Sequence, residues 1–118
     1  MTQTKLHQLG DFGQSIWLDY ISRSLLESGK LKKLIGEGLR GMTSNPTIFN
    51  QSISESQDYD EKIVALKEAG KSTFEIYDDL TIRDVQEAAD FFKPVYEATN
   101  GLDGFVSLEI NPQIAHLV

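Results

Sequence analysis

Five side chains stand where three apolar runs give way to polar residues. Asp19 closes "SIWLD" (15–19), and Thr43 and Asn45 close "GLRGMTSN" (38–45). Ser107 and Glu109 lie near the end of "GFVSLEI" (104–110). In α/β architectures the functional groups gather at the C-terminal ends of strands. Ser107 and Glu109 are two residues apart, so on a strand they share a face. A carboxylate inside a buried strand costs on the order of several kcal/mol unless it is paired or neutralised. Two readings of Glu109 follow: a buried partner for Lys or Arg, or a general acid/base tuned by burial. A second carboxylate, Asp19, at another strand end tilts the balance towards proton transfer.

Each residue also has a plainer reading. Asp19 alone reads as the cap of a helix starting at Tyr20. Asn45-Pro46 and Asn111-Pro112 both have the spacing of a helix N-cap followed by proline in the first turn. The two histidines, His7 and His116, have no carboxylate or second histidine at ligand spacing, so no metal site is expected. Trp17 reads as core, and Phe91, Phe92 and Tyr96 as a helix packing face. Lys30, Lys32 and Lys33 read as a solvated basic face. Gly36-x-Gly38-x-x-Gly41 has dinucleotide-loop spacing but precedes a strand instead of following one, so it fails in context. No cofactor is expected.

The elements that position these residues alternate. Short, nearly all-apolar runs suit strands buried on both faces of a parallel sheet. After the first strand, Ile21 and Leu25 mark a helix that Gly29 closes, and Leu31, Leu34 and Ile35 mark a second. After the second strand, Asn45 caps a helix. Another covers about 58–69, with Ile63 and Leu66 inward and Gly70 as its stop. The acidic cluster 55–61 reads as a solvated loop and helix start. Thr73 then caps a segment bearing Phe74 and Tyr77, and Thr81 with Asp84 has capping-box spacing. Val85, Ala88, Ala89, Phe92, Val95, Tyr96 and Thr99 keep a 3.6-residue period. Pro94 predicts a kink or early end, and Asn100-Gly101 terminates the pattern. Strand–helix alternation implies βαβ units and a parallel sheet.

Composition bounds the partners. The chain has 118 residues, 40% hydrophobic and 25% charged, within the globular range for one domain. Its net charge of -7 argues against nucleic acid or an anionic membrane. The absence of cysteine excludes disulfides and thiol catalysis. No signal peptide or membrane-spanning run is read, so the default compartment is the cytoplasm.

Three segments in this order resemble transaldolases of the bacterial type: "IWLDYISRSLL" (16–26), "GMTSNPTIF" (41–49) and "VSLEINPQIA" (106–115). "FFKPVYEATNGLDG" (91–104) resembles the lead-in to that family's third strand. The resemblance implies an α/β fold in which residues 1–118 form the first three βα units of a (β/α)8 TIM barrel, incomplete after strand 3. It implies transfer of a dihydroxyacetone unit between phosphorylated sugars of the pentose phosphate pathway, through a Schiff base on lysine. By motif, Asp19 matches the family's aspartate for proton transfer and Glu109 its water-mediated glutamate. Asn45 matches the asparagine that binds substrate hydroxyls, and Thr43 and Ser107 match hydroxyls that hold the water and the pocket. The family's Schiff-base lysine lies on the fourth strand, so inactivity of this chain alone is expected. Leu117-Val118 departs from the family's polar turn. The alternatives are a non-catalytic βαβ unit that self-associates through its open sheet edge, or part of a related sugar-phosphate aldolase.

Overall fold

The structure, a computed structural model, describes residues 4–109. Residue 110 of the third run, Asn111-Pro112, His116 and Leu117-Val118 lie outside the described residues. The order is α1 (Lys5–Asp11), β1 (Trp17–Asp19), α2 (Arg23–Glu27), α3 (Lys30–Gly36) and β2 (Gly41–Ser44). Then follow α4 (Pro46–Glu55), α5 (Asp60–Glu68), α6 (Thr73–Ala98) and β3 (Phe105–Leu108).

The three strands form one parallel sheet in the order β1-β2-β3. The register pairs Leu18 with Met42 and Met42 with Val106. This row faces the helices. Met42 is fully buried in a cluster with Ile21, Leu25, Leu31, Phe49 and Phe92, and Leu18 and Val106 pack against its edge. Burying a side chain of the Met or Phe class is worth roughly 1.5–3 kcal/mol.

The opposite sheet face is the less covered one, and at its edge the Phe105 ring meets Tyr96 of α6, ring centres 5.6 Å apart. On that face Trp17, Asp19, Phe105 and Ser107 are exposed, as is Leu108 at the end of β3; β2 is the most buried strand, with Thr43 half-buried. Trp17, read as core, lies on this open face and is 36% exposed.

Helix limits follow local chemistry. Gly29 (φ 83°) sits just past α2 and just before α3, as its sequence position predicts. Asn45 caps α4 with Pro46 in the first turn. Gly70 (φ 86°) ends α5, in which Ile63 and Leu66 are the half-buried positions. Asn100 and Gly101, both at positive φ, follow the end of α6.

α6 departs from expectation in four ways. Its cap is Ser72, not Thr73, and Ser72 and Glu75 form a reciprocal capping box. The Ser72 backbone N–H and hydroxyl hold the Glu75 carboxyl below its usual range. Thr81 and Asp84 do not start a helix; they lie inside α6, both buried. Pro94 does not end α6, which runs on to Ala98. The carbonyl that Pro94 leaves unbonded belongs to Asp90 on the exposed side, where water can take it. Ala89 and Tyr96, expected inward, are exposed.

Asp84 has a larger role than a cap. Its side chain is fully buried and forms an ion pair with Arg23 at 3.0 Å. Tyr59 donates its hydroxyl to the other carboxylate oxygen of Asp84. The Arg23 backbone N–H donates to the Tyr59 oxygen at 3.0 Å, and the guanidinium lies 4.5 Å from the Tyr59 ring centre. Tyr59 is also fully buried, although it sits in the acidic cluster read as solvated; the carboxylates around it, Glu55, Asp58, Asp60 and Glu61, are exposed. The cluster joins α2, the start of α5 and the middle of α6. Ser52 adds a further tie, from α4, by donating to the Ile21 carbonyl at 2.7 Å.

β3 is set against α6 by a close backbone approach. Gly104 (φ 93°) donates its N–H to the Arg40 carbonyl at 2.8 Å. A Cβ there would fall 2.5 Å from the Tyr96 nitrogen, so a side chain would push β3 off the helix.

Two outcomes follow from the buried cluster. Asp84→Ala strands a largely buried guanidinium and should cost about 3–5 kcal/mol in urea unfolding, enough to unfold much of the chain. Burial first, then the bond to Asp84, pushes the Tyr59 hydroxyl above the ordinary phenol range. Folded Tyr59 therefore keeps its proton after the unfolded chain has lost it. Its stabilisation is complete below about pH 10 and declines as pH rises further, by at most ~1.4 kcal/mol per pH unit. Unfolding measured between pH 8 and 11 should show this decline, and Tyr59→Phe should remove most of it. A small remainder belongs to Tyr77, which burial also raises.

Candidate active site

β1 and β2 pair Trp17 with Gly41 and Asp19 with Thr43; β2 and β3 pair Gly41 with Phe105 and Thr43 with Ser107. Side chains alternate between faces along a strand. With the Leu18–Met42–Val106 row on the helices, the Asp19–Thr43–Ser107 row must stand on the open face. Three of the five candidate residues thus form one straight line across the sheet.

Within that row the Thr43 hydroxyl donates to Asp19 Oδ1 at 2.7 Å. The bond fixes the carboxylate across the β1–β2 gap and leaves Oδ2 free to accept. Asp19 does not cap α2. Ser22 does so, accepting from the Leu25 N–H at 3.1 Å, and α2 begins at Arg23, not at Tyr20. The cap reading of Asp19 is therefore wrong, for a local reason: three residues separate the strand end from the helix.

Ser107 is exposed, and its side chain makes no hydrogen bond among the described residues. Its carbonyl accepts from the buried Ser44 hydroxyl at 2.8 Å, which ties β3 to β2 beside the row.

Asn45 and Glu109 stand two residues beyond Thr43 and Ser107, one step further towards the C-terminal ends of the strands. Asn45 is half-buried and extended (φ -149°, ψ 167°). Its Oδ1 accepts from the Ile48 N–H at 2.8 Å, so the cap reading holds. Its side-chain NH2 has no partner among the described residues and can still donate to a ligand. Glu109 lies one residue past β3 and is exposed, with no hydrogen-bond partner among the described residues. The premise that it sits inside a buried strand fails, and with it the desolvation argument. Among the described residues neither a lysine nor an arginine pairs with it.

The row has a base of a different character. On the open face Trp17 lies against Gly41: a Cβ on Gly41 would fall 2.4 Å from the indole ring. The glycine leaves the space that the ring occupies.

Among the described residues no group of His, Asp and Glu is arranged to hold a metal ion, and no helix is long and apolar enough to cross a membrane. The eight lysines are also accounted for. Lys5 lies in α1, Lys30, Lys32 and Lys33 in α3, Lys62 and Lys67 in α5, Lys71 before α6 and Lys93 within it. None stands on a strand or at a strand end. A polar cavity of about 520 Å3 opens beside Tyr20 and Ser22, immediately after Asp19, and no sequence signal had marked it.

The arrangement suits handling of a polyhydroxylated molecule: one oriented carboxylate, a second exposed carboxylate, two hydroxyls and an amide donor. Comparison with known proteins gives the family. The family model for Transaldolase/Fructose-6-phosphate aldolase matches residues 16–118. The chain is 48% identical over 116 residues to the transaldolase of Trichodesmium erythraeum (strain IMS101), covering 98% of this chain and 30% of that protein. It is 45% identical over 117 residues to transaldolase 2 of Nostoc sp. (strain PCC 7120), covering 98% of this chain and 31% of the relative. It is 47% identical over 116 residues to the transaldolase of Saccharopolyspora erythraea, covering 98% and 31%. The chain thus spans somewhat under a third of the length of these curated relatives.

Gly41→Ala tests the geometry. The added methyl must displace the indole, and overpacking of this kind costs typically about 1–3 kcal/mol. Urea unfolding should register that loss, together with a red-shifted emission from the displaced tryptophan. Unchanged stability and emission would contradict the contact.

Proposed function

The chain belongs to the transaldolase/fructose-6-phosphate aldolase family, and we propose that it carries the acid/base and hydroxyl-binding part of a transaldolase site. In the full reaction a dihydroxyacetone unit passes from sedoheptulose 7-phosphate to glyceraldehyde 3-phosphate through a Schiff base on a lysine amine. The single observation that carries this reading is the Asp19–Thr43–Ser107 row on the less covered face, with Asn45 and Glu109 one step beyond it.

Each residue has a task that its geometry allows. Asp19, held through Oδ1 by Thr43, uses Oδ2 to take the proton from the sugar hydroxyl as the neighbouring carbon–carbon bond breaks. In the reverse direction it returns that proton to the new aldol. Asn45 donates its amide NH2 to substrate hydroxyls while its oxygen keeps α4 capped. Glu109 works through a water: it protonates the carbinolamine hydroxyl so that water leaves, and later accepts a proton when water attacks the imine. Ser107 and Thr43 hold that water and the pocket wall.

The parallel three-strand sheet supports the reading. On this reading β1, β2 and β3 are the first three strands of a (β/α)8 barrel, and the face bearing the Asp19–Thr43–Ser107 row is its interior. The amine nucleophile is not any of the eight lysines, because all lie in helices or helix-linking loops. Alone, the chain binds sugar phosphate weakly and forms no covalent adduct.

Incubation with fructose 6-phosphate followed by borohydride should therefore leave the mass of the chain unchanged. A lysine carrying the reduced adduct would overturn the assignment of the nucleophile. In a protein of this family completed by its remaining strands, Asp19→Asn keeps the Thr43 contact but removes the base, and should lower kcat by about 10²–10⁴-fold.

A second reading rests on the same open face. Trp17 and Phe105 expose aromatic surface there, 36% and 45% accessible, which favours pairing with a second copy. A single species of 13.2 kDa at every concentration tested by light scattering would dispose of it.

A further inference from the structure

We propose that Trp17 is a positioning residue of the same site, its indole forming the apolar floor beneath the Asp19–Thr43–Ser107 row. The inference rests on the reading of that row as a sugar-binding site. Four observations carry it.

Trp17 shares the face of the row. The direction in which a Gly41 Cβ would point is the direction in which Thr43 points, two residues on, and the indole fills it. Next, the depth is fixed. Trp17 precedes Asp19 by two residues, a step of roughly 6.6 Å along the strand, or about one sugar ring. Then, the indole is locked. Its Nε1–H donates to the Ser15 hydroxyl at 2.9 Å, and that hydroxyl donates to Asp103 Oδ1 at 2.6 Å. The ring's one polar group is thus consumed on the side away from the row, and only ring carbon faces a ligand. Finally, the middle strand offers glycine at this level, so the ring lies across β2 instead of standing beside it.

A sugar offers hydroxyls at its rim and C–H groups on its faces. Polar groups above and ring carbon below match that distribution. The floor limits how far a sugar descends between the strands, so that its hydroxyls meet Asp19 and Asn45. It also keeps water from reaching the carboxylate from below, which strengthens the hydrogen bonds of the row.

The chain contains one tryptophan, so its emission reports this position alone. The test titrates the 118-residue chain with fructose 6-phosphate, to tens of millimolar as weak binding demands. Tryptophan emission and the NMR amide resonances of Thr43 and Ser107 are followed together. Both signals should saturate with one midpoint. By NMR, Trp17→Phe should bind nearly as well as the wild type and Trp17→Ala roughly tenfold more weakly, with both variants folded by circular dichroism. Amide shifts without any change in emission, or Trp17→Ala binding as well as the wild type, would remove Trp17 from the site and leave the sugar reading intact. If neither signal moves, the sugar reading fails and this inference fails with it.

Discussion

The register of three parallel strands decides what the rest of the molecule can do. Pairing Leu18, Met42 and Val106 in one row commits that row to the helices and the neighbouring rows to the other face. A slip of one residue in any strand would exchange the two sets. Asp19 would then enter the core unpaired, or Met42 would leave it. The cost of burying a lone carboxylate makes such a slip prohibitive. The polar row is therefore not an independent feature added to a scaffold. It is the complement of the apolar row, and the same hydrophobic burial that folds the sheet aligns Asp19, Thr43 and Ser107.

The helices must hold this sheet without covering its working face. They do so partly through Asp84, Arg23 and Tyr59, which bind α2, α5 and α6 together on the covered side. Arg23 follows Asp19 by only four residues. Its side chain reaches Asp84 while its backbone N–H reaches Tyr59, so the segment from strand end to helix start is held at two points. Ser52, through the Ile21 carbonyl, adds a third. A buried ion pair is weak evidence for stability, since an apolar replacement often does as well. Its use here is directional: it specifies where the β1–α2 segment lies, and Asp19 sits at the head of that segment.

Much of this was legible in the sequence because it depends on local chemistry. Asn45-Pro46, Gly29, Gly70 and Asn100-Gly101 mark their boundaries through φ preference and capping, and the structure places them so. The three strands were legible from apolar runs. What failed needed tertiary knowledge. Thr81 and Asp84 have capping-box spacing, but a reciprocal Ser72–Glu75 box nine residues earlier starts the helix. Asp84 is then free to turn inward to an arginine 61 residues away. Tyr59 looked solvated because its neighbours are charged, and no local pattern shows that a single aromatic in such a run is buried. Trp17 looked like core because large apolar residues usually are. Its true position depends on a glycine 24 residues away in the next strand. Burial of Glu109 was inferred from its apolar neighbours, but it stands one residue past β3, on an edge that nothing in the described residues covers.

The plain and the functional readings of a residue were set against each other at Asn45, and there the geometry removes the conflict. An asparagine side chain has an acceptor and two donors. Capping α4 uses only the acceptor, Oδ1, and points the NH2 away from the helix it starts. A serine, threonine or aspartate would cap as well but could not present the same amide donors. The sequence position thus demands a cap, while the choice of asparagine among the residues able to cap carries the additional information. Asp19 shows the converse. Once Ser22 takes over the cap, nothing structural requires a carboxylate at the end of β1. Thr43 could hold a neutral acceptor in the same place, so the negative charge is what remains to be explained by chemistry.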